Sequence, residues 1–87
     1  MLTAEDILKY KKKTPFARFR ITTVVGERYD VSDPAHIMVG RRDIVVGIAC
    51  KIDPSICDRS FRISIPDVAT ITELPHHSQT EFYPGYA

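Results

Sequence analysis

The stretch PFARFRITTVVGERYDVSDPAHIMVGRRDIVVGIA, residues 15–49, decides the fold, because its hydrophobic period is two. Phe19, Ile21 and Thr23 alternate with Arg18, Arg20 and Thr22, the pattern of a strand buried on one face and wet on the other. Gly26 and Glu27 supply a tight turn. Beyond it Tyr29 and Val31 point one way and Arg28 and Asp30 the other, so the two runs read as a hairpin. Ser32, Asp33 and Pro34 then break the pairing with a turn or a single helical turn, since Asp caps backbone amides and Pro fixes φ. A third strand is expected over about 36–39, and Gly40, Arg41 and Arg42 form the next turn. Asp43 to Ala49 is a β-branched run that suits burial on both faces and predicts a central strand. Gly47 within it marks a bend, a bulge or the close approach of another backbone.

On the N-terminal side, Thr3 and Asp6 have the spacing of an N-cap with an acidic third residue. Leu2 and Ile7 stand where a hydrophobic staple would close. A helix is therefore predicted over about 3–12, ending before Pro15, with Leu2, Ile7 and Leu8 resting on the sheet. On the C-terminal side, Cys50 to Ser60 has no regular period and reads as a loop. Phe61, Ile63 and Ile65 alternate as a further strand, Pro66 interrupts, and Val68 to Leu74 forms the last strand. From His76 to Ala87 the period is lost, and this segment reads as a tail, with Phe82, Tyr83 and Tyr86 aromatic enough to dock. The expected fold is mainly β with a short N-terminal helix: a small five- to six-stranded antiparallel, bent sheet or barrel in a single domain, residues 1–75.

Composition agrees with that class. The chain has 87 residues, 44% of them hydrophobic and 26% charged, close to globular averages and enough for one core. No apolar run approaches the roughly 18 residues that cross a bilayer, and Glu5 and Asp6 interrupt any secretory signal, so a cytoplasmic protein without membrane attachment is expected. The net charge of +1 conceals a polarity: residues 1–20 hold six bases against two acids, and the remainder six bases against nine acids. Such a basic end attracts phosphate backbones or complements the negative end of a helix dipole.

The same residues carry a resemblance. The PF-x-x-F-x-I opening, the Asp33-Pro34 turn and the VGRR turn before a Val-rich strand, followed by DRSFRISIPDVATITEL, resemble a group of small bacterial proteins common in planctomycetes. The likeness spans roughly residues 15–74 and implies no activity. At the level of fold alone the order of elements is similar to Sm-like and SH3-like barrels: a helix, a strand ending at Gly26, two strands about Gly40, and a short final strand at Ala69 to Leu74. That likeness implies RNA binding and ring formation. The chain departs from it at Asp33-Pro34 and at Pro66.

Few residues advertise chemistry. Cys50 and Cys57 enclose six residues, wider than a zinc knuckle, and adjacent His76 and His77 diverge on an extended backbone, so no metal is assigned. In a reducing compartment the two thiols stay free, and Cys50 reads as a small core residue. His36 follows Asp33 and Ser32 without the pattern of a catalytic triad, and the four glycines are too scattered to cradle phosphate. No cofactor and no catalytic residue is assigned. Two readings follow. One is a non-catalytic protein-interaction or self-associating module whose partner, a protein or a second copy, extends a strand edge. The other is an Sm-like nucleic-acid-binding module using Lys11, Lys12, Lys13, Arg18, Arg20, Arg41 and Arg42, with Tyr10, Phe16 or Phe19 nearby.

Overall fold

The computed structural model describes residues 2–50, 52–53 and 56–75. Helix α1 (Ala4–Lys12) leads into strands β1 (Phe19–Thr23) and β2 (Arg28–Val31). A 3₁₀ turn at Pro34–His36 precedes β3 (Ile37–Val39), β4 (Asp43–Ala49) and β5 (Cys57–Ser64). A second 3₁₀ turn, Ile65–Asp67, introduces β6 (Val68–Glu73). The strands form two antiparallel three-stranded sheets, ordered β2-β1-β6 and β3-β4-β5. The class and strand number match the expectation, but the sheet does not close into a barrel. The two proline turns show why. Pro34 and Pro66 have no amide hydrogen to continue a ladder, so the chain leaves one sheet and enters the other at each of them.

Both sheets turn their apolar faces to one core. Phe19, Ile21 and Val31 from the first sheet meet Ile37, Ile44, Val46 and Ile63 from the second, and Ile7 of α1 is fully buried among them. Burial along β1 follows the predicted alternation, with Phe19, Ile21 and Thr23 inside. Register places Ile21 between Tyr29 and Ile71. Tyr29 then reaches across to Phe61 of the other sheet, ring centroids 5.1 Å apart. Helix α1 starts as its sequence dictates. The Thr3 hydroxyl accepts from the Asp6 N–H at 3.2 Å while the Asp6 carboxylate accepts from the Thr3 N–H at 2.9 Å. Leu2, Ala4 and Tyr10 pack beside Ile7; Leu8, expected with them, is half-buried outside that cluster.

Other boundaries move. Residues 57–60, expected as loop, are the first half of β5, paired with Gly47 to Ala49 across a bulge. Their side chains are all exposed, so no alternation could announce a strand there. His36 and Ile65, expected in strands, belong to the 3₁₀ turns, and both are buried. Cys50 is half-buried and not a member of the core. Gly47 serves a close approach, but mainly of a side chain: a Cβ there would lie 3.1 Å from Cys57 Cβ, and 3.6 Å from the His36 carbonyl. Gly26, at φ +91°, takes the left-handed position that the β1–β2 turn requires. No described helix is long and apolar enough to cross a membrane. The tail expected at 76–87 lies outside the described residues.

Candidate functional site

Hydrogen-bond parity identifies which backbone groups the sheets leave unused. Gly40 N–H donates to Asp43 C=O at 2.8 Å, so alternation turns Met38 toward β4 and the backbone groups of Ile37 and Val39 outward. On the other flank of β4, Ile65 N–H donates to Arg42 C=O at 2.9 Å. Phe61 and Ile63 therefore bond to β4, and the amides and carbonyls of Ser60 and Arg62 and the amide of Ser64 face away from the sheet, while the Ser64 carbonyl begins the Ile65–Asp67 turn. In the first sheet, Leu74 N–H donates to Arg18 C=O at 2.9 Å, which directs Thr70 and Thr72 to β1 and leaves Ile71 and Glu73 outward on β6.

These edges are not equally exposed. The β3 edge is covered: α1 packs on β3, and Lys11 Nζ donates to the outward Ile37 carbonyl at 2.8 Å. Edge β2 lies against β4 at the seam between the sheets. Edges β5 and β6 have no partner strand among the described residues. The two strands adjoin in sequence, yet the Ile65–Asp67 turn sends them to different sheets.

The seven cations named for nucleic-acid binding separate into two groups. Lys11 is bound to the Ile37 carbonyl, Lys13 pairs with Glu73, and Arg18 donates to the Pro75 carbonyl at 3.5 Å. Arg20 forks onto Asp30 at 2.7 and 3.1 Å, and that hydrogen bond with the carboxylate charge raises the guanidinium's already high pKa. Lys12, Arg41 and Arg42 are exposed, and their side chains make no hydrogen bond or ion pair among the described residues. Lys13 and Arg18 also line an apolar cleft of about 770 Å³ with Phe16, Ala17, Leu74 and Pro75. Tyr10 and Phe16 pack against Phe19, at ring centroids of 5.4 and 5.9 Å, which makes them core partners rather than open stacking platforms.

The other candidates have local duties. Asp33 accepts from the Ala35 N–H at 2.8 Å and caps the first 3₁₀ turn, in which His36 is buried. Cys50 and Cys57 are both free. Backbone N–H groups of Asp53 and Ile52 hold the Cys50 thiol below its ordinary pKa. Among the described residues no three His, Cys, Asp or Glu side chains converge as metal ligands. His76 and His77 lie outside the described residues. The alternation of Phe61 and Ile63 announced the second half of β5, but its first half, Cys57 to Ser60, has no hydrophobic period and was expected as loop. No family model, no curated protein and no solved structure matches the chain.

Proposed function

We propose that the protein is a non-catalytic, self-associating interaction module that joins strand edge to strand edge, β5 of one copy adding to β6 of the next. The single observation that carries the reading is the open β5 edge: eight residues, paired on one side only, with the backbone groups of Ser60 and Arg62 and the amide of Ser64 directed outward. Edge β6 offers the complementary groups of Ile71 and Glu73. An added strand satisfies all of these at once. Because two different edges meet, the contact is heterologous and generates either a closed ring or an open chain. On this reading the fold is an opened relative of the Sm-like and SH3-like small barrels, parted at the two proline turns.

Size-exclusion chromatography with light scattering on the purified protein tests it, with absorbance recorded at nucleic-acid and protein wavelengths. The expected result is an assembly larger than a monomer and free of nucleic acid, reduced to monomer by Arg62→Pro, which removes an outward N–H. A folded wild-type monomer at high concentration overturns the reading.

Exposed Lys12, Arg41 and Arg42 favour the second reading, a nucleic-acid-binding module. Changing Lys11, Lys12 and Lys13 together would confuse phosphate binding with stability, since Lys11 and Lys13 hold other parts of the fold. The Lys12→Glu, Arg41→Glu, Arg42→Glu triple variant separates the readings. Bound RNA that is lost in this variant with the fold intact would promote the second.

A further inference from the structure

Between the β1–β2 turn and β5 lies a cavity of about 280 Å³. It is smaller than the clefts that enclose whole small molecules, and a single side chain suits it better. One wall is apolar: Val24 and Val25 at the turn, with Tyr29, Phe61 and Ile63. The valines are 62% and 78% exposed and stand at turn positions where polar residues are the rule. The lining also holds two carboxylates, Glu27 and Asp67. Glu27 accepts from the Tyr29 hydroxyl at 3.1 Å, and neither it nor Asp67 has a cationic partner among the described residues. Arg62, also in the lining, is drawn aside to Asp43 at 3.5 Å. Phe61 also takes a guanidinium outside the lining, where Arg59 sits 5.3 Å over its ring.

We propose that this cavity seats one cationic side chain, arginine or lysine, of a partner protein segment that lies extended along β5. A lining that combines two carboxylates with aromatic rings and exposed valines matches the charged head and apolar stem of such a side chain. Residues Phe61 to Ser64 line the cavity and also form the open edge, so a segment hydrogen-bonded to Arg62 and Ser64 passes its mouth. The inference rests on the β5 edge being open; β6 itself holds no arginine or lysine, so the segment belongs to a different partner protein that competes with β6 of a second copy for that edge.

The test titrates the ¹⁵N-labelled full chain with an acetylated, amidated peptide of alternating valine and threonine carrying one central arginine. Companion peptides carry glutamate or norleucine at that place. Saturable shifts at Glu27, Tyr29, Phe61 and Asp67 are expected with the arginine peptide, with binding about tenfold weaker for each companion. The Glu27→Gln, Asp67→Asn double variant should abolish that preference while leaving the remaining spectrum unchanged. Equal shifts at Ser60 to Ser64 with all three peptides would overturn the cavity claim and leave the edge reading standing. No shift with any peptide would overturn the cavity claim, while chromatography reports separately on the edge.

Discussion

Strands β3 and β5 flank the same strand, β4, and the fold treats their outer edges in opposite ways. The β3 edge is three residues long, lies under α1, and has an outward carbonyl taken by Lys11. The β5 edge is eight residues long and has no partner strand among the described residues. The bulge opposite Ile48 and Ala49, with Asp58 and Arg59, blunts only its first half. Bulges, charges and covering helices are the usual defences of an edge. Here the covering helix and its lysine guard one flank of the sheet, and on the other the defences stop at Arg59. Ser60 to Ser64 remain a usable template.

The largest test of this contrast places proline at adjacent positions of β5. Ile63 N–H bonds into the ladder and its side chain is buried, so Ile63→Pro should cost at least about 3 kcal/mol in denaturant unfolding. Arg62 N–H faces away from β4, so Arg62→Pro should cost under about 1 kcal/mol yet abolish self-association. Comparable losses of stability at both sites would mean that the parity assigned to β5 is wrong.

A smaller effect concerns how the start of β5 is held. Gly47→Ala drives a methyl into the Cys57 side chain and should destabilise by about 2 kcal/mol. Cys57→Ala added to it removes the obstructing sulfur and should recover part of the loss in the same melts. Lys11→Met comes next. It keeps the apolar stem and deletes the hydrogen bond to Ile37, so about 1.5 kcal/mol should be lost. The uncovered β3 edge should then exchange its amides faster, as read by hydrogen exchange at Ile37 and Val39. Unchanged exchange there would remove the lysine from the account of edge protection.

Legibility in the sequence followed burial. Phe19, Ile21, Thr23, Ile44 and Val46 are inside, and their positions announced β1 and β4. Thr3 and Asp6 announced α1 through local chemistry that needs no tertiary partner. Cys57 to Ser60 announced nothing, because a strand wet on both faces has no pattern to keep, and only the Gly47 to Ala49 pairing makes it one. The separation of the sheets hid in Pro34 and Pro66: each reads as an interruption, but which sheet the chain rejoins depends on contacts far away in sequence. For the same reason the seven cations looked alike in sequence. Asp30, Glu73 and two carbonyls distinguish four of them.

The smallest expected effect asks whether the cover over β3 can be loosened from its far end. The N–H of Thr3, then its hydroxyl, hold the Asp6 carboxyl below its ordinary pKa. A carboxylate with a lowered folded pKa contributes stability that is full above its unfolded value, near 4, and is lost as pH falls through the folded value. The helical circular-dichroism signal should therefore weaken below about pH 4. Thr3→Ala removes the hydroxyl from the cap, should cost about 1 kcal/mol, and should flatten this acid dependence. If α1 covers the β3 edge as a unit, amide exchange at Ile37 should rise along the same acid curve in the wild type, after correction for intrinsic rates. Fraying confined to the first turn, with Ile37 exchange unmoved, would show that Ile7 and Lys11 hold the cover in place without the cap.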